Sequence, residues 1–268
     1  MRLTDHVTEW SGEDYSRLSG LQRTMITEAM AGLRFRGADI VLDIGCGDGF
    51  LTRAIADMVP EGMAFGADRS HRMIATAAGS AARRASGPWF VIADARRLPF
   101  AECFDAAVSF NALHWVPEQA HALRQIATVL KPNGRLVVQV VCAGTRPSLE
   151  AVTMQLCRSE RWSTWFEGFD APYAHVDPEG YGELAAEAGL VLDDVHVTDR
   201  QWDFGSREAF RRWSAMGSTA WTDRLPEDRR GPFIAEQVRA YEPLAGAPGV
   251  FRYLQMRARL HRGHTERR

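Results

Sequence analysis

The segment 41-VLDIGCGDGF-50, running on into 51-LTRAIADM-58, constrains the fold of this 268-residue chain more than any other stretch. Hydrophobic residues around the acid Asp43 read as a strand, Gly45, Gly47 and Gly49 as a tight turn, and the next segment as a helix. A strand, a glycine turn and a helix in that order cradle a nucleotide-like ligand in open α/β sheets. A dinucleotide loop needs its third glycine at position 50, where this chain has Phe50. A triphosphate loop needs a lysine followed by a hydroxyl, and 47-GDGF-50 has neither. What remains is a nucleoside without a phosphate tail. The glycines let backbone approach such a ligand, and Asp43 offers negative charge to an amino group.

Strand candidates at 39–44, 63–67, 89–93, 105–110 and 135–141 alternate with helical segments at 50–58, 70–82 and 117–130. That alternation predicts parallel βαβ units and a doubly wound α/β sheet covered on both faces. Residues 11–33 read as an amphipathic helix, started by Ser11 with Asp14 and carrying apolar residues from Leu18 to Leu33 at helical spacing. Beyond residue 145 we expect helices at 148–168, 178–189 and through most of 206–242. Two late strands, 191–198 and 250–260, predict an antiparallel hairpin whose connection has grown into a helical lid.

Without a Pro/Gly/Ser-rich linker or an internal repeat, the expectation is a single domain over 1–268. It divides into a helical cap (1–35), a ligand-binding core (36–145), and lid helices with the last strands (146–268). A net charge of −2 gives no attraction for nucleic acid. Lys131 is the sole lysine among 32 basic residues, which reads as coding bias, and the basic tail from Arg252 reads as a solvated chain end. No apolar run approaches the ~20 residues that span a bilayer. The start MRLTDHVTEW lacks a signal-peptide plan, so no membrane association and a cytoplasmic location are expected. Cys46, Cys103, Cys142 and Cys157 are scattered, which argues against a zinc site and for a reducing compartment. The expected oligomeric state is monomer or homodimer.

Two further acids close strands: Asp68 in 66-GADRS-70, placed to accept a ribose diol, and Asp94 in 92-IADARRLPF-100, placed to accept an adenine amino group. With VLDIGCGDG, FDAAVSFNALHWV (104–116) and LKPNGRLVV (130–138), these segments make the sequence resemble the class I S-adenosylmethionine-dependent methyltransferases. The resemblance covers residues 15–145. It implies a seven-stranded Rossmann-like sheet with a C-terminal antiparallel hairpin, and S-adenosylmethionine as cofactor. It also implies Asp43, Gly45, Cys46, Gly47 and Gly49 at the methionine end, Asp68 on the ribose, and Asp94 with Ala95 at the adenine. Tyr15 and Asn111 complete the implied cofactor contacts.

Methyl transfer from a sulfonium is an in-line displacement, so the protein must mainly align a nucleophile and exclude water. Bases of nucleic acids are disfavoured as acceptors, because Phe110-Asn111-Ala112-Leu113 stands where Asn/Asp-Pro-Pro-Tyr would be. The Leu-His-Trp-Val segment instead looks like a small-molecule subgroup comprising trans-aconitate, malonyl-carrier-protein and juvenile hormone acid methyltransferases, which esterify carboxylic acids. By that likeness Gln22 and Trp115 position the acceptor. Helical spacing puts Tyr15, Ser19, Gln22 and Ile26 on one face, and both candidates carry N–H donors suited to a carboxylate that needs no base. His114 is the candidate base if the acceptor is instead a phenol or alcohol. An amine or carbon acceptor, and a silent cofactor-binding protein, are the remaining alternatives. Trp162, Trp165, Phe166, Tyr173, Phe210, Trp213 and Trp221 read mostly as lid core, and any that face the site would favour an apolar or aromatic acceptor. Arg211 and Arg212 are candidate carboxylate binders.

Overall fold

A computed structural model describes residues 20–79 and 87–263. Its seven-stranded sheet contains β1 (Ile40–Ile44), β2 (Met63–Asp68), β3 (Trp89–Ile92), β4 (Phe104–Phe110), β5 (Leu130–Val141), β6 (Leu190–Asp203) and β7 (Val250–Arg262). The spatial order is β3-β2-β1-β4-β5-β7-β6. Strands β1 to β5 run parallel, while β7 pairs antiparallel with both β5 and β6. The implied sheet and its C-terminal hairpin are therefore present. Strand order reverses between β1 and β4, and ligands of open α/β sheets bind at such a switch point, beyond the carboxyl ends of the strands.

The pleat of β1 sorts its side chains to two faces. Leu42 and Ile44 enter a core with Phe104, Leu123, Ile126, Leu136 and Val138, covered by α4 (Gln119–Val129) and α6 (Tyr181–Glu187). Val41 points the other way, into a core with Leu51, Ile55, Ala64 and Val108 beneath α2 (Phe50–Met58). Period-two alternation places Asp43 on that same α2 face. The remaining βα helix, α3 (His71–Gly79), packs against β2 and β3.

Above the sheet, α1 (Gly20–Met30), α5 (Leu149–Cys157), α7 (Arg207–Gly217), α8 (Thr219–Thr222) and α9 (Glu227–Ala245) form the cap. Leu21 and Met25 of α1 pack with Leu149, Phe210, Val238, Tyr241 and Phe251 in a third core. Trp162, Phe166, Trp221 and Phe233 anchor a fourth. Ser148 and Ser206 start α5 and α7 by accepting the backbone N–H three residues on, at 3.0 and 3.2 Å.

Several boundaries differ from expectation. The helix predicted over 148–168 stops at Cys157; Ser159 donates its hydroxyl to Leu156 O (2.7 Å), a local bond that competes with the helical ladder. A short 3-10 turn at Ser163–Trp165 then brings Trp162 and Phe166 into the fourth core. The turn at 131-KPNG-134 is a bulge within β5, with Asn133 at φ 60°. Strand β6 outlasts its predicted 191–198 because it stays paired with β7 along its length. Residues 11–19 of the predicted first helix lie outside the described residues.

Candidate active site

A cavity of about 200 Å³ opens at the switch point. One wall is built from the strand ends. Gly45 and Cys46 both donate their backbone N–H to Ala67 O, at 2.7 and 3.1 Å, which ties the glycine loop to β2. A Cβ on Gly45 would lie 2.1 Å from the Ala112 Cβ, so only glycine lets the loops after β1 and β4 meet here. Gly47, at φ 54°, has open space where its Cβ would be and lines the cavity. Its N–H donates to Asp68 Oδ2 at 3.0 Å, and Ser70 N donates to Asp68 Oδ1 at 2.9 Å. The carboxylate is thereby aimed before any ligand arrives.

Asp94 also lines the cavity and is gripped by Arg96. Its Oδ1 accepts from Arg96 N (2.8 Å) and Nε (3.0 Å), and its Oδ2 from Nη2 (2.7 Å). Burial raises its pKa, but the Arg96 bonds and charge outweigh burial and hold it below its ordinary value. A carboxylate offers about four lone-pair sites, so three bonds leave Oδ2 room for one more donor. Ala95 lies beside it on the wall.

Asp43, Cys46 and Gly49 are not on that wall. The pleat of β1 turns Asp43 beneath α2, where it accepts from Thr52 Oγ1 at 2.6 Å. Burial, reinforced by Asp68 and Asp48 and opposed by the Thr52 bond, raises its pKa to about 7. Cys46 is buried below the loop, and burial pushes its thiol well up. Gly49 begins α2 at φ 78°, against the ring of Phe90. Asp43 and its neighbours thus support the loop from below, through backbone and hydrogen bonds. Tyr15 lies outside the described residues.

Asn111 stands at the junction of the two halves. It adopts φ 58°, donates its N–H to Gln139 O at 2.7 Å, and lines the cavity. Neither its Oδ1 nor its Nδ2 has a protein partner although both are buried. A buried amide left so is costly unless a ligand completes it. The next residues form the 3-10 turn Leu113–Trp115, fastened by Gln119, whose Nε2 donates to Leu113 O and to Val116 O (2.7 Å). His114 and Trp115 both face the cavity. Burial, then the neighbouring His175, push the His114 pKa down to about 3, and its Nδ1 has no partner.

The other wall comes from the cap. Gln22 lines it, and its Oε1 accepts from Trp213 Nε1 at 3.3 Å. An indole N–H only donates, so the amide oxygen must face it and the Gln22 amino group is left to the cavity. Trp213 and Trp221 line the cavity too, whereas Trp162, Phe166 and Phe210 are core and Trp165 and Tyr173 pack against core. Arg211 is held at 2.8 Å by Glu208, and Arg212 lies 3.9 Å from the same acid; neither reaches the site.

Two lining residues carry no readable sequence signal. Gln237 of α9 accepts from Ser214 Oγ (2.7 Å) and donates to Thr153 Oγ1 (2.6 Å) and Ser218 Oγ (3.0 Å), joining α9 to α7 and α5. Glu150 lies in the first turn of α5. Only tertiary packing turns either toward the cavity.

A model described as a methyltransferase domain matches residues 42–138. Over 253 residues the chain is 30% identical to the trans-aconitate 2-methyltransferase of Mycobacterium tuberculosis, covering 92% of this chain and 94% of that one. Among solved structures, the Bacillus subtilis YcgJ protein matches with a TM-score of 0.66 at 19% identity, covering 91% of this chain and all of that one. Haemonchus contortus phosphoethanolamine N-methyltransferase 2, solved with S-adenosyl-L-methionine, matches with a TM-score of 0.58 at 15% identity over 94% of this chain and 57% of its own. Glycine loop, acids at the strand ends, sheet order and these likenesses agree: the chain belongs to the class I S-adenosylmethionine-dependent methyltransferases.

Proposed function

We propose that this enzyme methylates a carboxylate oxygen of a small molecule, forming a methyl ester. The observation that carries the reading is the Gln22 amide, locked by Trp213 so that its amino end serves the cavity. That donor suits a carboxylate oxygen, which is already ionised near neutral pH and needs no base. A hydroxyl acceptor would need one. His114, with its pKa depressed to about 3, would take a proton from a phenol only against a gap of many pKa units. The 30% identity to a trans-aconitate 2-methyltransferase supports the same class of chemistry.

On this reading Asp68 holds the ribose, Asp94 and Ala95 the adenine, and Gly45, Gly47 and Asn111 the methionine end, with Asp43, Cys46 and Gly49 keeping the loop in shape. When bound, S-adenosylmethionine supplies an electrophilic methyl group on a sulfonium centre. Gln22 and Trp115 orient the acceptor oxygen, and Trp213 and Trp221 exclude water from it. His114 stays neutral and packs against Trp115, ring centroids 5.2 Å apart. Tritium transfer from methyl-labelled cofactor to a fractionated pool of small metabolites, followed by mild alkali, tests the proposal. Label released as volatile methanol is the expected result. Label that survives alkali overturns it, because ethers, amines and carbon–methyl bonds do not hydrolyse there.

A further inference from the structure

Glu150 has no part in the chemistry described so far, yet it lines the cavity at 9% exposure. Its Oε2 is buried with no hydrogen-bond partner. His175 Nε2 lies 3.7 Å from Oε2, too far for a hydrogen bond, and itself has no hydrogen-bond partner among the described residues. Burial holds the His175 pKa below its ordinary value, against an opposing pull from Glu150. Arg146, four residues upstream, is engaged by Asp199 at 2.6 Å. What steadies a carboxylate at Glu150 is the first turn of α5, where helix N–H groups and dipole favour negative charge. Among the described residues the single lysine or arginine on the cavity wall is Arg69, next to Asp68 at the end of β2. Glu150 lies on α5, which follows β5, whereas Arg69 follows β2, three positions away in the order of the sheet.

We infer that Glu150 sets acceptor specificity: it receives a hydrogen-bond donor, a hydroxyl or an ammonium, at the far end of the acceptor and rejects a second carboxylate there. The inference deepens the ester-forming reading and rests on it for the identity of the methylated group. A buried carboxylate without a donor is under-solvated, so an acceptor bringing one gains what the empty site lacks. An acceptor bringing a second carboxylate meets like charge in a dry site. A polycarboxylate such as the one named for the mycobacterial relative is therefore a poor fit to this chain.

The test is binding to the protein loaded with S-adenosylhomocysteine, by calorimetry, which needs no turnover. The ligands are four matched series of increasing chain length: alkanoates, ω-hydroxyalkanoates, ω-aminoalkanoates and dicarboxylates. At the best length, the wild type should bind a donor-ended acid at least about tenfold more tightly than the dicarboxylate. Whether the hydroxyl or the amino series binds best identifies the donor. Glu150→Gln, matched in size and checked for unchanged S-adenosylhomocysteine affinity, should shrink that preference to about threefold or less. Wild-type preference for the dicarboxylate, or an unchanged ratio in the variant, overturns the inference. If the ranking holds but no ester forms in the labelling experiment, the specificity role of Glu150 stands and the ester reading falls.

Discussion

The two walls of the cavity are made differently. On the wall proposed to hold the cofactor, Gly45, Gly47, Asp68, Asp94 and Asn111 all lie within three residues of the carboxyl end of a parallel strand, so the sheet fixes their positions. On the acceptor wall, Gln22, Trp115, Glu150, Trp213, Trp221 and Gln237 come from separate elements spread over more than two hundred residues. The first wall is a property of the sheet and, on the proposed reading, holds a fixed cofactor. The second depends on how helices pack, so on that reading its chemistry changes with modest repacking and the acceptor varies.

Removing a strand-end contact should therefore have the largest effect. Asp68→Ala should weaken S-adenosylmethionine binding roughly a hundredfold, from the loss of two hydrogen bonds to a charged acceptor at ~1.5 kcal/mol each. Circular dichroism should show the fold retained, since the bonds lost are at the loop surface. Calorimetric affinity within threefold of wild type would mean that the pre-aimed carboxylate does not hold the ribose, and the contrast between the walls would collapse.

A change on the acceptor wall should separate turnover from cofactor binding. Trp115→Ala should lower turnover about tenfold while moving cofactor affinity less than threefold, because on the proposed reading the ring faces the acceptor, and it packs edge-on against Trp221 at 6.2 Å. Equal losses in both quantities would make Trp115 part of the cofactor wall.

This contrast also explains what could be read from the sequence. Strand and glycine signals are local, and Asp68 and Asp94 follow apolar runs directly, so their place at strand ends beside the glycine loop was legible. Asp43 shows where local reading stops. Its motif marks the cofactor loop, but whether its side chain meets the cavity or α2 depends on the pleat of β1, and period two sends it to Thr52. Gln22 and Trp115 came from the resemblance. Glu150 and Gln237 were invisible because nothing near them in sequence says which neighbour a helix face will meet. Arg211 and Arg212 looked promising beside Trp213, yet helical geometry pairs both with Glu208 on the exposed face.

Asp43 also yields a test within the cofactor half. Its folded pKa, about 7, lies above the ordinary 3.8, so between those values the native state keeps a proton that the unfolded chain has lost. Stability from this group is thus fully present below pH ~4 and declines as pH rises toward 7. Asp43→Asn cannot ionise and escapes that decline. Its melting temperature relative to wild type should rise by several degrees between pH 5 and pH 8. A constant difference across that range would show that Asp43 ionises freely and is not a buried prop.

The smallest effect should come from the residue that looks most like a catalyst. His114→Phe keeps a ring against Trp115 and removes the unpartnered Nδ1. With a pKa near 3, His114 is neutral throughout the working range and should impose no inflection on the rate between pH 5 and 8. Turnover of the variant should stay within about threefold of wild type, with the same pH profile. General bases contribute about 10²–10⁴-fold, so a loss of that size, with an inflection abolished by the substitution, would identify His114 as one. The acceptor would then carry a proton that must be removed, and a hydroxyl would displace the carboxylate as the group this wall receives. The silence of His114 under mutation is thus informative, because ester formation is the O-methylation that leaves it idle.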